Sequence, residues 1–229
     1  MKKIFQFATI ALIAIFCAVP SMASDDFEYG DGYWPKSYFL SVGMGATYTR
    51  GDLNEHRVSL TDSAGNKSKV YPPSMSFFAT PDLTIGVNIR SFTLDFNFQY
   101  WKSSQELTKL DESEETKIWR AGFEFSYNLF WPEDFQVGLG IGYSYTSLTA
   151  KNSAIHKDRK EQSNFMGSGA AFIANVRYYL NDYVAIVPAV KVYENWFMDV
   201  NTSQSGTCDL DPFIWQTYIL TSLSLLIQF

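Results

Sequence analysis

Cysteine, histidine and charged residues are all scarce in this sequence. Its 229 residues include two cysteines and two histidines, and only 18% of them carry a charge, where about a quarter is usual for a soluble domain. Two distant histidines and a lone cysteine match no spacing of metal ligands, so we expect neither a metal site nor a cofactor. A disulfide within the mature chain is excluded as well, because Cys17 lies in a segment that we expect to be removed and only Cys208 remains.

Basic residues are outnumbered by acidic ones. Lys and Arg total 18 and Asp and Glu total 24, which argues against binding to nucleic acid. Beyond the N-terminal segment, no apolar run is long enough for a membrane-spanning helix. Aromatic residues, by contrast, reach 17% of the chain while the mean hydropathy is only −0.11. These values fit together if apolar and polar residues are finely interleaved.

The N-terminal segment has the layout of a secretory signal peptide. Lys2 and Lys3 precede an apolar stretch, and Ser21 and Ala23 supply the small residues of a cleavage site. We therefore expect residues 1–23 to be removed during export. The alternative, a membrane-anchoring helix, is disfavoured because the apolar stretch is short and meets a cleavage site at once.

Apolar and polar residues then alternate with a period of two in about eight segments, which predicts β-strands. In the clearest segment, Phe92–Tyr100, large apolar residues alternate with Thr93, Asp95, Asn97 and Gln99. The predicted strands are 38–48, 83–89, 92–100, 117–130, 135–147, 165–180, 183–193 and 213–229.

Short and long connections also alternate along the chain. Tight turns are predicted at Arg90–Ser91, Trp131–Asp134 and Asn181–Asp182. The other connections are long and polar, and the predicted ranges are 50–74, 102–115, 150–163 and 194–212. This order predicts an all-β fold, an antiparallel up-and-down barrel of about eight strands with short turns at one end and four long loops at the other.

The positions of the charges indicate which face of the barrel meets lipid. The strand-core charges all lie on the face of small and polar residues, namely Asp95, Arg120, Glu124, Arg177 and Lys191. A charge facing lipid at mid-membrane costs about 2–4 kcal/mol, so lipid outside would impose this exclusion and water would not. A soluble, lipocalin-like barrel is the alternative; its apolar face would point inward and its outer face would be rich in Lys and Glu.

The chain resembles the small outer-membrane β-barrels of Gram-negative bacteria, of the OmpA transmembrane-domain and OmpX/Ail-like type. The resemblance rests on the signal peptide, the number of strands and the terminal "SLLIQF". It implies an outer-membrane barrel over residues 37–229, periplasmic turns and a periplasmic lead-in over residues 24–36. It also implies that the barrel assembly machinery reads the alternating residues of the last strand, Leu225, Ile227 and Phe229.

The interior of the predicted barrel carries charges of both signs. Together with Arg90 near a turn, the five strand-core charges form a candidate lumen cluster. An eight-stranded barrel is just wide enough for its own side chains, so we interpret this cluster as a salt-bridged plug. An ion path or gate is the alternative. We expect Asp95 and Arg177 near the turns, Glu124 and Lys191 near mid-height, and Arg120 above them.

The predicted loops are the expected location of function. Lys157, Arg159 and Lys160 form a basic group in the third loop that could contact lipopolysaccharide phosphates. We expect a monomeric, non-enzymatic protein that interacts with outer-membrane lipid and lipopolysaccharide and serves envelope integrity or surface interaction. A small channel for ions or solutes is the second hypothesis. A lipid-modifying enzyme using His56 or His156 is the third.

Overall fold

The structure is a computed structural model, and it describes most of the chain after residue 36. The described ranges are 37–55, 58–61, 67–70, 77–89, 91–107, 112–131, 135–156, 159–202 and 206–229. The predicted signal peptide, 1–23, and the lead-in, 24–36, lie outside these ranges. No helix within the described ranges has the length and apolar character that a bilayer crossing requires.

Ten antiparallel strands are described in this part of the chain, together with a short 3-10 helix, Asp52–Glu55. The strands are β1 (Ser37–Gly51), β2 (Val58–Thr61), β3 (Lys67–Val70), β4 (Phe77–Ile89), β5 (Phe92–Leu107), β6 (Glu112–Trp131), β7 (Phe135–His156), β8 (Arg159–Asn181), β9 (Val184–Thr202) and β10 (Gly206–Gln228).

Eight of these strands close into a barrel. Each of β4 to β9 pairs with its neighbours in chain order, β1 pairs with β4, and β10 pairs back with β1 along most of its length. Backbone hydrogen bonds between Tyr38 and Phe229, at 3.0 and 2.9 Å, fix the last rung of this seam. Closure leaves no sheet edge exposed along the barrel wall, which is what a lipid environment demands of strands. The predicted all-β barrel is confirmed.

The two ends of the barrel differ. The tight connections β4–β5, β6–β7 and β8–β9 lie at one end with Ser37 and Phe229, and we name it the turn end. The side chain of Asn181 caps the last of these turns by accepting hydrogen bonds from the backbone of Tyr183 and Val184, both at 2.9 Å. The opposite end is named the loop end.

At the loop end, the strands continue well into the stretches that periodicity predicts as loops. The β5–β6 and β7–β8 pairs extend to Leu107 and His156, and β9 extends to Thr202 instead of ending at Tyr193. Pairing can continue there without apolar alternation, because a ladder of backbone hydrogen bonds depends on no particular side chain. Between β1 and β4, β2 and β3 form a hairpin whose first strand pairs with β10 at Leu210.

The alternation of side chains follows the predicted faces. Large apolar residues point outward and remain exposed along every barrel strand, among them Val42, Ile85, Phe98, Phe125, Ile141, Phe172, Val190 and Leu225. Their strand neighbours point into the lumen and are buried. Outside, aromatic rings pair across strands, as Trp119 does with Tyr145 at 5.4 Å and Trp196 with Trp215 at 5.7 Å.

The lumen is layered from one end to the other. A small apolar cluster closes the turn end, and its members are Phe39, Tyr179, Ala185, Val187 and Leu226. A larger apolar cluster runs from mid-barrel to the loop end and includes Leu53, Ile118, Leu148, Phe165, Phe197, Val200 and Leu210. Charged and amide side chains fill the section between them. The buried charges are therefore enclosed by apolar layers along the barrel axis and by the backbone wall around it.

The outward face offers a direct test of the membrane interpretation. Ile141→Arg places a charge at mid-strand, where the side chain is 63% exposed, and should lower the free energy of unfolding by about 2–4 kcal/mol in lipid vesicles. Tyr183→Arg is the matched control, because Tyr183 is 65% exposed but lies at the turn end, where the cost falls to about 0–1 kcal/mol. Equal, small costs at both positions in denaturant titrations would indicate that water surrounds the barrel.

Candidate functional site

A buried lysine lies at the centre of the lumen cluster. The Lys191 Nζ is 3.1 Å from Glu124 Oε2 and 3.4 Å from Asp82 Oδ2, and all three side chains are almost inaccessible to solvent. The three residues come from β9, β6 and β4, so the ion pairs connect strands that are not neighbours in the sheet. Such a buried arrangement is stable only if its remaining lone pairs also find donors.

Neutral side chains supply those donors. Glu124 Oε1 accepts hydrogen bonds from Asn97 Nδ2 and from the Tyr193 hydroxyl, the latter at 3.2 Å. Asp82 Oδ1 accepts one from Gln99 Nε2 at 3.1 Å, and its Oδ2 lies 3.4 Å from the Ser222 hydroxyl donor. The ion pairs thus form part of a network that reaches five strands.

Arg120 lies above this network, toward the loop end, and is fully buried. Its Nε donates to Thr146 Oγ1 at 3.2 Å and one terminal nitrogen donates to Gln99 Oε1 at 2.9 Å. The guanidinium also stacks on two phenol rings, at 4.1 Å from the ring centre of Tyr193 and 4.5 Å from that of Tyr218. Neutral oxygens and ring faces therefore replace the carboxylate partner that a buried arginine usually has.

Arg177 forms a second, separate cluster nearer the turn end. It donates to Asn88 Oδ1 at 2.7 Å and to Thr93 Oγ1 at 3.2 Å, and it packs 5.1 Å from the ring centre of Phe39. Thr93 in turn donates to Asn88 and accepts from Asn128. Arg177 is the one formally charged residue of this cluster, and its partners at the turn end are neutral.

A small polar cavity separates the two clusters. Its volume is about 40 Å³, and its wall includes Asp95, Glu124, Asn175, Arg177 and Lys191. One water needs about 10–15 Å³ of such space, so the cavity has room for about three waters or a partly hydrated ion. The cavity ends at Phe39, Val187 and Leu226, which belong to the apolar cluster at the turn end.

Glycines on β7 make room for these polar side chains. A Cβ added at Gly138 would meet Asn175 Oδ1 at 2.5 Å and Asn128 Oδ1 at 3.0 Å. The run of alternating glycines in "VGLGIGY" is therefore a requirement of close packing inside the barrel. It lets the amides of β6 and β8 approach the same stretch of wall.

The structure places the predicted lumen residues as follows. Asp95, Arg120, Glu124, Arg177 and Lys191 all lie inside the barrel and are buried, and Arg90 lies outside the described residues. The expected heights differ in one respect. Asp95 and Glu124 are directly opposite each other in the β5–β6 register, so the two carboxylates are cross-strand neighbours and not members of separate layers.

Sequence reasoning missed two components of the site. Asp82 was not predicted, because Pro81 precedes it and the apolar alternation of that strand begins only at Leu83; the structure starts β4 at Phe77 and points Asp82 inward. Tyr193 was missed although its parity with Lys191 in β9 places it on the lumen face. The alternation of β9 alone could have identified Tyr193, whereas Asp82 required the pairing of β4 with β1, in which it lies opposite Gly43.

Glu194 departs from the predicted pattern in another way. It was predicted to open a long loop, yet it lies within β9 on the outer face. It accepts hydrogen bonds from Trp215 Nε1 at 2.5 Å and Thr217 Oγ1 at 2.9 Å. The carboxylate sits beside the Trp196–Trp215 pair, and both of these donors, on the neighbouring strand β10, bond its Oε2.

The remaining predicted residues lie at the end of the closing strand, at the start of β8 or outside the described residues. Leu225 and Ile227 point outward on β10, Phe229 follows that strand at the closing seam, and all three are exposed. Arg159 and Lys160 begin β8, where they are paired in register with His156 and Ala154 at the tip of the β7–β8 hairpin. Lys157 and His56 lie outside the described residues.

The charged side chains of the lumen are held by their neighbours inside the barrel. Every charged side chain that we describe there is enclosed by neighbouring side chains, and the ion pairs join strands across the barrel. Replacing one member would leave an uncompensated buried charge, which typically costs about 3–5 kcal/mol. We therefore expect the cluster to act as an internal brace for the barrel.

Arg120 provides a test of this bracing. Arg120→Lys keeps the charge, but an ammonium cannot keep both directed hydrogen bonds while stacking flat on two rings. We expect the free energy of unfolding to fall by about 2–3 kcal/mol, the range for losing hydrogen bonds to a charged group. Arg50→Lys at an exposed position is the control and should change stability by less than about 0.5 kcal/mol. Equal effects in denaturant titrations would refute the bracing role of the guanidinium.

Comparisons with known proteins identify the fold. No family profile matches the chain, and no curated protein matches it in sequence. In structure it is similar to the outer membrane protein OprG of Pseudomonas aeruginosa, with a TM-score of 0.57 and 12% identity over 86% of this chain and 98% of that one. It is also similar to a major outer membrane protein of Thermus thermophilus, with a TM-score of 0.50 and 10% identity over 84% and 99% of the two chains. The chain thus has the fold of the small outer-membrane β-barrel proteins.

Proposed function

We propose that this protein is a non-enzymatic integral outer-membrane barrel that holds an ordered surface at its loop end. Its role is envelope integrity or surface interaction. The observation that carries the proposal is the layered lumen, which leaves the barrel wall and the loop end as the surfaces available for contact. A channel for ions or small solutes is the alternative.

Support for the membrane location comes from the outer face. Exposed apolar side chains surround the barrel, including Val42, Ile141 and Leu223 at 56, 63 and 60% exposure. A soluble monomer rarely exposes a contiguous apolar surface of this extent. The solved barrels of similar fold that are named above are outer membrane proteins.

Support for a role other than transport comes from the lumen. Arg120, Tyr193 and Tyr218 fill the middle of the barrel and are fully buried. Toward the loop end, Ile118, Leu148, Phe165 and Phe197 are fully buried as well. An ion passing along the axis would have to cross this apolar layer without hydration, which is strongly unfavourable.

Support for an ordered surface comes from the loop end. The β2–β3 hairpin is joined to β10, and the 3-10 helix is fastened by two hydrogen bonds, from Leu53 N to Gln216 Oε1 at 3.2 Å and from Trp215 N to Asp52 Oδ2 at 2.8 Å. Leu53 is fully buried in the apolar cluster beneath. Rigid elements that carry exposed connections are a common platform for recognition.

Electrical recording in planar bilayers tests this proposal against the channel alternative. We expect pure, folded protein to show no single-channel conductance, because the apolar layer at the loop end blocks the axis. A porin added to the same bilayers controls for membrane quality, and the unboiled gel mobility of recovered protein controls for folding. Reproducible unitary conductance from the folded protein would overturn the proposal in favour of the channel.

We further propose that the tip of the β7–β8 hairpin contacts lipopolysaccharide through Lys157, Arg159 and Lys160. A basic residue near an anionic membrane surface contributes about 1 kcal/mol to binding. Changing all three to Gln should therefore weaken binding of purified lipopolysaccharide at least about tenfold. Changing Lys67 and Lys69 to Gln in β3 is the control for net charge at the loop end. Unchanged binding by the triple variant would reject the contact.

A further inference from the structure

A carboxylate on the outer wall of the barrel has no positively charged partner. Glu194 is half-buried on the outer face of β9, and its Oε2 accepts the hydrogen bonds from the Trp215 indole and the Thr217 hydroxyl. Within the described part of the chain, no donor reaches its Oε1 and no cation pairs with either oxygen. The two donors therefore orient the carboxylate and leave Oε1 available to a further donor.

A guanidinium lies on the same face, two strands away. Arg50 is exposed on β1 and lies opposite Thr217 in the β1–β10 register, and Thr217 lies opposite Glu194 in the β9–β10 register. Adjacent strands are about 4.8 Å apart, so the Cα atoms of Arg50 and Glu194 are about 10 Å apart. The described residues include no ion pair to Arg50. We name Arg50, Thr217 and Glu194 the outer row.

The outer row lies where the apolar wall ends. Counted from the turn end, the outward residues that precede Glu194 on β9 are Val184, Ile186, Pro188, Val190 and Val192, and those that precede Arg50 on β1 are Leu40, Val42, Met44, Ala46 and Tyr48. Trp196 and Trp215 lie one step closer to the loop end, with ring centres 5.7 Å apart. Tryptophan is enriched where acyl chains meet headgroups, so the row belongs to that boundary.

We propose that the outer row binds the phosphoethanolamine headgroup of a membrane lipid. The ammonium group donates to Glu194 Oε1 beside the rings of Trp196 and Trp215, and the Arg50 guanidinium binds the phosphate. Both charged side chains are long enough to reach a headgroup placed over the small side chain of Thr217. The acyl chains of the lipid then lie along the apolar wall below.

The charges of the row favour this headgroup over other lipids and ions. A choline headgroup has no N–H to donate to Glu194, and a glycerol headgroup brings no positive charge to it. A hydrated divalent cation would be repelled by Arg50 and would gain little from indole rings. Asp52, whose Oδ2 accepts the backbone N–H of Trp215 at 2.8 Å, adds negative charge on that side and so also favours an ammonium group.

Lipid binding to the full folded chain in a non-ionic detergent tests the proposal by native mass spectrometry. The probes are phosphatidylethanolamine, its N-acetyl derivative, phosphatidylcholine and phosphatidylglycerol, all with the same acyl chains. Because a charge-assisted hydrogen bond is lost with the other three, we expect phosphatidylethanolamine to bind at least about tenfold more tightly. Free phosphoethanolamine at equal concentration should not displace it; displacement would show that the soluble compound is the ligand and would overturn the lipid assignment.

Variants assign the binding to the outer row. Glu194→Gln and Arg50→Gln should each weaken phosphatidylethanolamine binding at least about tenfold. Asp182→Asn at the exposed β8–β9 turn and Lys102→Gln on the outer face of β5 are the matched controls and should leave it unchanged. If unboiled gel mobility shows that Glu194→Gln does not fold, Trp196→Leu keeps every charge and should weaken binding about two- to fivefold.

Equal affinity for the four lipids, or unchanged affinity in folded Glu194→Gln, would overturn the proposal. Tighter binding of phosphatidylglycerol than of phosphatidylethanolamine would overturn it as well, because Arg50 would then act without Glu194. The site rests on the membrane location in the proposed function, but its failure is distinguishable from a failure of that function. The Ile141→Arg and conductance measurements would keep their expected results if only the headgroup site were wrong.

Discussion

Charge balance inside a narrow, closed lumen is the constraint on which the rest of this structure depends. Lipid outside excludes charge from the outer face of the strands where they cross the membrane, and an eight-stranded barrel has little room for water within. The charges that remain must therefore satisfy one another. Lys191 does so with Asp82 and Glu124, and Arg120 does so with neutral oxygens and the faces of two phenol rings.

The apolar layers at both ends strengthen these interactions. Phe39 and Leu226 cover the polar section at the turn end, and Phe165 and Phe197 cover it toward the loop end. In such a low-dielectric enclosure a complete network is rigid and an incomplete one is costly. The same layers separate the lumen from solvent, which supports our proposal that the barrel is a fixed support and not a passage. Under that proposal, the loop end, where β2 pairs with β10, is the surface for contact with other molecules.

Much of this fold could be predicted from alternation alone. The outward position of Ile141 and the inward position of Glu124 follow from a period of two, and the turn at Asn181–Asp182 follows from its residue types. The strand ends beyond the lipid could not be predicted, because pairing there is set by backbone hydrogen bonds and leaves no apolar pattern. Asp82 could not be predicted either, since Pro81 and the lack of alternation before Leu83 conceal the start of β4.

The cavity is harder to predict from the sequence than the faces of the strands. Alternation indicates that Asp95 and Asn175 face inward, but their approach to one space depends on how the strands are staggered around the barrel. Glycines such as Gly138 are visible in the sequence, yet only the structure shows that they accommodate the amides of Asn128 and Asn175. Side-chain parity can be read from the chain, whereas contact across the lumen is a property of the closed barrel.

The most direct measurement of charge balance is a double-mutant cycle on Lys191 and Glu124 in lipid vesicles. Lys191→Met alone leaves three carboxylates without their central cation and should cost about 3–5 kcal/mol of unfolding free energy. Adding Glu124→Gln restores the original net charge, and the double variant should be at least about 1 kcal/mol more stable than Lys191→Met. A double variant that is as unstable as the sum of its two single changes would contradict the account.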